Sequence, residues 1–101
     1  TVFRPTLATL SLTPTGTVAS PLNVLRRSTT TFTATITNSP TYAITRVDFL
    51  VGGTVVCSDT TASYTCAWKA PGSAKTLTVV AKAYDAQGNV TSSNTVTVKV
   101  K

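Results

Sequence analysis

The 101-residue sequence contains no histidine, no glutamate and no methionine. Histidine is the side chain that most often serves as a general base near neutral pH, and a zinc site needs four ligands, which two cysteines alone cannot supply. The only acidic residues are Asp48, Asp59 and Asp85, which fall near turns or on an outward strand face. We therefore expect no enzymatic activity, no metal site and no cofactor in this chain.

Charged residues are also scarce, at 12% of the sequence, and long hydrophobic runs are missing. Exposed helices are usually rich in glutamate and lysine, so this composition argues against helices. A membrane-spanning helix needs about 20 consecutive apolar residues, so we expect no membrane insertion. The first residues lack the basic start and apolar core of a signal peptide. We interpret the chain as a piece of a larger or processed protein, with residues 1–6 as a leader or linker remnant and residues 7–101 as one domain.

What the sequence does contain is an excess of threonine and a repeated alternation of apolar and polar residues. Such alternation predicts β-strands with one face in a core, because successive side chains of a strand point to opposite faces. The segments predicted as strands are residues 7–12, 22–25, 30–37, 44–51, 54–57, 64–68, 76–84 and 95–100, the last preceded by a return that starts at Val90. About seven or eight short strands, separated by turn signals, favour an all-β fold: an antiparallel β-sandwich with Greek-key connections.

The stretch from Val47 to Trp68 carries both cysteines and the only tryptophan. Gly52-Gly53 separates two strand patterns and favours a tight hairpin turn, because such turns need positive φ angles, which glycine adopts at little cost. Beyond the turn, Tyr64, Cys66 and Trp68 fall on one face. We expect this face to lie in the core.

Cys57 and Cys66 could face each other across a hairpin or between two sheets. A bridge would close a loop of about ten residues and stabilise the fold by about 2.7 kcal/mol in the chain-entropy model. Two free buried cysteines are the main alternative, and a reactive thiol would lack a histidine to activate it. We favour a structural disulfide, which would indicate an oxidising, extracellular location, either secreted or at the cell surface.

The loop Asp85–Asn89 has oxygen-bearing side chains and a glycine, as calcium-binding loops do. It lacks further acidic residues and a closing glutamate. A hairpin turn is the favoured interpretation, with Gly88 or Asn89 at positive φ.

Most of the aromatic residues fall on faces predicted to point inward. These are Phe32, Phe49, Tyr64 and Trp68. The others are Phe3 in the leader, Tyr42 near a loop and Tyr84 at a strand end. Sugar rings stack on flat aromatic side chains, so Tyr42 and Tyr84 are the candidate ligand-binding residues of a carbohydrate-binding face.

The net charge of +6 arises from nine lysine and arginine residues. We interpret these cations as spread along the chain, where they aid solubility. A nucleic-acid interface would need clustered cations with exposed aromatics, and Arg26-Arg27 is the only adjacent pair. Lys82 and Lys99 could lie near each other on an outward face if their strands pair. We expect no nucleic-acid partner.

Several short motifs recur in a known family. They are Val47–Phe49 followed by Gly52–Thr54, Asp59–Ala62 ahead of Tyr64 and Trp68, Thr76–Thr78, Ala81–Asp85, Gly88–Val90 and Asn94–Val98. On these residues the chain resembles the bacterial immunoglobulin-like domains, which occur as modules in large secreted and cell-surface bacterial proteins. The resemblance covers most of the chain from about Leu10 onward and implies an immunoglobulin-like sandwich. The cysteine pair and the scarcity of acidic residues in the loops depart from the family's common pattern.

The resemblance implies a broad range of functions, because the family serves as spacer, connector, adhesion unit or occasional ligand binder. The leading expectation is a non-catalytic accessory module that spaces neighbouring domains of the same polypeptide, such as those of a polysaccharide-degrading enzyme. The first alternative is a module that binds a polysaccharide or cell-surface glycan, which exposed aromatics in a row would favour. The second is an adhesion or assembly domain that pairs through a sheet edge, which a long unprotected edge strand would favour.

Overall fold

The computed structural model describes residues 6–14, 22–61 and 63–101. Within these ranges the chain forms β-strands and no helix, so none of the described residues forms a helix that could cross a membrane. The strands are β1 (Leu10–Pro14), β2 (Leu22–Val24), β3 (Thr29–Ile36), β4 (Ile44–Val51), β5 (Thr54–Asp59), β6 (Tyr64–Lys69), β7 (Lys75–Asp85), β8 (Val90–Ser92) and β9 (Val96–Val100). The expected all-β class is confirmed.

The strands form two sheets that pack face to face as a sandwich. The small sheet has the order β1-β3-β6, and the large sheet has the order β2-β9-β7-β4-β5, with β8 also paired to β7. All pairs are antiparallel except β2 with β9, which is parallel. β1 belongs to the small sheet, and β2, the next described strand, lies at the edge of the large sheet.

The core lies between the sheets and follows the alternation seen in the sequence. The largest fully buried side chains are Leu12 and Phe32 of the small sheet and Val47, Phe49, Val79 and Val98 of the large sheet. In β6 buried and exposed residues alternate without exception, so Tyr64, Cys66 and Trp68 point inward as expected. Burial of these apolar faces is the main force that holds the two sheets together.

Gly52 and Gly53 join β4 to β5 in a tight turn with φ angles of 58° and 83°. Both angles lie in the left-handed region that glycine tolerates, which confirms the predicted hairpin. A register shift after Phe49 adds an extra residue, Val56, to the β5 side of the pair.

Two side chains explain where the observed strands differ from the expected ones. The first strand was expected at residues 7–12 but begins at Leu10, because the Asn38 amide bonds the preceding segment: Thr9 N–H donates to Asn38 Oδ1 at 2.8 Å, and Asn38 Nδ2 donates to Leu7 O at 2.8 Å. The segment that starts at Val90 and was expected to return along the sheet divides into β8 and β9. The division occurs because Ala81 N–H donates to Ser93 Oγ at 2.9 Å instead of to a backbone carbonyl.

The described chain enters and leaves the sandwich at opposite ends. At the entry end, Thr41 N–H donates to Thr6 O at 2.8 Å, beside the loops that follow β3, β5 and β7. At the exit end, Lys101 N–H donates to Val24 O at 2.9 Å, beside the β2–β3 and β6–β7 connections. β7, with eleven residues, runs from the exit end to the entry end over roughly 36 Å. Residues 1–5 of the expected leader lie outside the described residues.

Candidate functional site

A disulfide between Cys57 and Cys66 joins the two sheets, with a Cα–Cα distance of 5.9 Å. Cys57 lies on β5, an edge strand of the large sheet, and Cys66 lies on β6, an edge strand of the small sheet. Cys66 is buried beside Phe32, whose ring centroid is 6.1 Å from that of Trp68. The predicted disulfide is confirmed, and of the two arrangements considered it takes the one between sheets.

A second connection joins the sheets at the opposite side of the sandwich. Leu12 N–H donates to Asn94 Oδ1 at 2.9 Å, and Asn94 Nδ2 donates back to Leu12 O at 3.2 Å. Asn94 precedes β9 in the large sheet, and Leu12 belongs to β1 in the small sheet. One side-chain amide therefore satisfies both backbone groups of Leu12. Asn94 begins the Asn94–Val98 family motif, but its contact with Leu12 could not be predicted from the sequence.

Tyr84 lies on the outer face of the large sheet, within a polar cluster. The Arg46 guanidinium carbon is 4.2 Å from the centroid of the Tyr84 ring, which is a cation–π contact. Arg46 Nε also lies 3.0 Å from Asp48 Oδ1, and that carboxylate accepts a 2.7 Å hydrogen bond from Ser58 Oγ. Asp48 thus holds the guanidinium over the ring. The alternation of side chains along β7 predicts that Tyr84 points outward. Its contact with Arg46 depends on the register in which β4 and β7 pair, which the sequence does not show.

Tyr42 lies in the β3–β4 connection at the entry end and is half-buried. Its neighbour Ala43 accepts a hydrogen bond from Ala86 N–H at 3.2 Å, which places Tyr42 and Tyr84 at the same end of the molecule. Among the described residues, the only ring pair is that of Phe32 and Trp68. A role for Tyr42 and Tyr84 in ligand binding stays a prediction, and Phe3 lies outside the described residues.

The loop after β7 is organised around the Asp85 carboxylate. Its Oδ1 accepts hydrogen bonds from Gln87 N–H and Asn89 N–H, each at 2.9 Å, and its Oδ2 accepts one from Asn89 Nδ2 at 2.9 Å. Gly88 has a φ of 85° and closes the turn. Burial raises the pKa of Asp85, but the hydrogen bonds from Asn89, Gln87 and Gly88 outweigh it and lower the pKa overall. Both oxygens of the Asp85 carboxylate therefore already accept hydrogen bonds from residues of the same turn.

Asp59 caps the β5–β6 connection in a similar way. Its carboxylate accepts hydrogen bonds from Thr61 N–H at 3.0 Å and from Thr65 N–H at 3.1 Å. These bonds lower its pKa against the weaker opposing effect of burial. In the part of the chain that the structure describes, no three metal-binding side chains converge.

A shallow concavity of about 220 Å³ lies beside β3 and the start of β6. It is lined by Thr33, Ala34, Thr35, Ile36, Ser63 and Tyr64. The lining offers hydroxyl groups and apolar surface but no charged side chain, so it has no strong anchor for a ligand.

The cations are not spread as the sequence suggested. Lys99 lies opposite Thr76 and Lys82 lies opposite Ser92, so these two lysines are separated by six residues along β7, roughly 20 Å, although β7 and β9 do pair. Most of the cations instead lie at the exit end. This exit-end cluster consists of Arg26, Arg27, Lys69, Lys75, Lys99 and Lys101.

Two facing sheets, a chain that crosses from one to the other, and a core between them define an immunoglobulin-like β-sandwich. The sequence model of the bacterial Ig domain family matches residues 14–100. The chain therefore belongs to the bacterial Ig domain family, which confirms the resemblance.

Among solved structures, the fibronectin(III)-like modules of Clostridium thermocellum CbhA are similar to this chain. The TM-score is 0.72 and the sequence identity is 27%, and the match covers 89% of this chain and 94% of that chain. No curated protein matches the sequence. The family match and the structural similarity support an accessory module as the general class of this protein.

Proposed function

We propose that this chain is a non-catalytic spacer module in a larger secreted or cell-surface bacterial protein, such as a polysaccharide-degrading enzyme. The observation that carries the proposal is the placement of Thr6 and Lys101 at opposite ends of the sandwich. Domains attached at these two ends would be held apart by the length of the sandwich. A folded domain fixes distance and orientation in a way that a flexible linker cannot.

The links between the sheets support a rigid spacer. The Cys57–Cys66 disulfide joins them on one side, and the Asn94 amide bonds Leu12 on the other. Sliding of one sheet over the other would break one or both links. The proposal therefore assigns the disulfide a mechanical role.

The proposed setting rests on two further observations. The similar solved structures are described as modules of CbhA, which supports a module of a multidomain protein. Disulfides persist in oxidising compartments, which supports an extracellular location.

The test is an exchange in the parent polypeptide. The module is replaced either by an unrelated rigid β-sandwich of similar length or by a Gly-Ser chain of equal residue number. A spacer predicts that the rigid replacement preserves the parent's activity on its insoluble substrate or surface and that the flexible chain lowers it. Loss of activity with the rigid replacement would contradict the spacer and indicate a specific binding role.

Glycan binding is the second candidate, and the half-buried Tyr84 on the outer face of the large sheet is the feature that favours it. The Arg46 guanidinium covers one face of the Tyr84 ring, which leaves less aromatic surface for a sugar. If the face binds glycan, Tyr84→Ala should abolish salt-resistant retention of the isolated domain on chitin, cellulose or bacterial cell wall. Retention that Tyr84→Ala leaves unchanged would exclude this face.

Pairing through a sheet edge has less support. Among the described strands, β1, β2, β5 and β6 lie at sheet edges and have five, three, six and six residues, and β5 carries a register shift. Short and irregular edges are the features by which proteins prevent pairing with other chains.

A further inference from the structure

Six of the nine lysine and arginine residues surround the exit end of the sandwich. Arg26 and Arg27 form the turn between β2 and β3, and Lys69 ends β6 opposite Thr29. Lys75 begins β7 opposite Val100. Lys99 and Lys101 lie on either side of Val100 in sequence, so the last strand brings them to the same place. All six residues are exposed.

No side-chain carboxylate balances this charge within the described residues. The three aspartates lie on the half of the molecule towards the entry end. Asp59 is the last residue of β5 and Asp85 is the last residue of β7. Asp48 lies on β4, where its backbone neighbours on the adjacent strands are Ser58 and Lys82. The only ion pair in the described part of the chain joins Arg46 to Asp48. Like charges brought together without partners repel one another, so the cluster disfavours folding unless an anion occupies it.

The two arginines are held in place by the backbone around them. Arg26 Nε donates to Lys101 O at 3.0 Å. Arg27 adopts a φ of 62°, which is uncommon for a residue with a side chain, and its N–H donates to Pro71 O at 3.3 Å. A Cβ on Gly72 would come within 3.1 Å of Arg27 Nε, so the guanidinium lies directly against the β6–β7 connection. The turn thus presents two positioned guanidinium groups among four exposed lysines.

The identity of the partner follows from what the rest of the molecule offers. A second copy of this chain fits poorly, because the Asp59 and Asp85 carboxylates at its entry end already accept hydrogen bonds from their own turns. A nucleic acid also fits poorly, because among the described residues the exit end has no exposed aromatic side chain on which bases could stack: Trp68 is buried, and Tyr42 and Tyr84 lie at the other end.

We propose that the exit-end cluster binds a flexible anionic polymer bearing carboxylate or phosphate groups, of the kind exposed at bacterial surfaces. The cluster surrounds one end of the sandwich instead of forming a pocket, so it suits a chain of repeated charges better than a single small anion. Arginine can bind either group with two parallel hydrogen bonds, and the lysines add charge without fixed geometry. This binding goes beyond the spacer function, and it would act at the same end to which the spacer proposal attaches the next domain.

The test compares two double variants of equal net charge. Lys75→Gln with Lys99→Gln removes two charges from the cluster, and Lys82→Gln with Ser39→Asp lowers the net charge of +6 by the same two units elsewhere. Ser39, Lys75 and Lys99 are exposed and Lys82 is half-buried on the outer face of the sheet, so melting temperatures near that of the wild type verify folding. Binding is measured by calorimetry on polygalacturonate and on inorganic polyphosphate, with dextran and double-stranded DNA as comparisons, at low and moderate salt.

We expect binding to at least one of the two polyanions and none to dextran. Cations contribute about fivefold each at an anionic surface, so the cluster variant should bind about 25-fold more weakly, while the control variant binds as the wild type does. The polymer that binds more tightly identifies carboxylate or phosphate as the preferred group. Equal weakening by both variants, no binding to either polyanion, or tighter binding to DNA than to both polymers would overturn the proposal.

Discussion

At the scale of single residues, polar side chains replace backbone partners at the points where strands end. Asn38 bonds Leu7 and Thr9 ahead of β1, and Asn94 bonds Leu12 from the opposite sheet. Asp59 and Asp85 satisfy backbone N–H groups in two connections at the entry end. The hydrogen bonds of these side chains fix the positions at which the strands begin and end.

Asn94→Ala should lower the free energy of unfolding by about 1–3 kcal/mol, because it leaves the N–H and C=O groups of Leu12 without their partner. Urea denaturation followed by tryptophan fluorescence measures the change. Asn23→Ala is the matched control, because Asn23 is exposed on β2. Equal stability of the two variants would mean that water replaces the Asn94 amide at no cost.

The two low pKa values predict how stability depends on pH. The pKa values of Asp59 and Asp85 are lower in the folded protein than the ordinary value of 3.8. The ionised carboxylates of Asp59 and Asp85 therefore stabilise the folded state above about pH 4. This stabilisation is lost as the pH falls through their pKa values in the folded protein. With no histidine or glutamate present, the melting temperature should stay level from about pH 8 to about pH 5 and then fall in more acidic solution.

Asp59→Asn combined with Asp85→Asn should flatten that acidic fall, because Asp48 would be the only remaining acidic side chain. Calorimetric melting across the pH range compares the double variant with the wild type. An unchanged acidic fall would contradict its assignment to Asp59 and Asp85.

At the scale of elements, alternation predicted most strands but not their partners. Residues 44–51 form β4 as expected, and the inward residues of β6, β7 and β9 were also identified. Alternation reports only the local environment, so it did not show that β2 pairs in parallel with β9 or that β8 and β9 separate at Ser93. The Cys57–Cys66 pair was predicted, whereas its place between the sheets depends on β5 and β6 belonging to different sheets.

The disulfide should contribute substantially to the stability of the pair of sheets. Cys57→Ala with Cys66→Ala should lower the free energy of unfolding by about 2–3 kcal/mol, because the unfolded chain loses the constraint of a closed loop. For a domain of this size that corresponds to a melting temperature lower by about 10 °C or more. Thermal melting by circular dichroism, with and without a thiol reductant, measures it.

The reductant supplies the internal control for this prediction. The reduced wild type should melt close to the double variant, and the double variant itself should not respond to the reductant. A wild type that melts at the same temperature with its disulfide reduced would show that packing alone holds β5 against β6.

At the scale of the whole molecule, the sandwich has two unlike ends. The entry end carries turns organised by aspartates, and the exit end carries the six-cation cluster. The sequence could not show this separation, because Arg26, Lys69 and Lys101 are far apart along the chain and are brought together only by the pairing of β2 with β9 and of β3 with β6. The same pairing sends the described chain in at one end and out at the other, which is the basis of the spacer proposal.

The most direct measurement is single-molecule fluorescence energy transfer between dyes on the two domains that flank this module in the parent polypeptide. Genetically encoded ketone side chains would carry the dyes, so that Cys57 and Cys66 stay bonded. A rigid spacer predicts one narrow distance distribution, set by a sandwich of roughly 36 Å and unchanged by salt. A flexible chain of equal length would instead give a broad distribution with a root-mean-square span of roughly 55 Å. A distribution as broad as that of a Gly-Ser replacement would contradict the claim that this module fixes the distance between its neighbours.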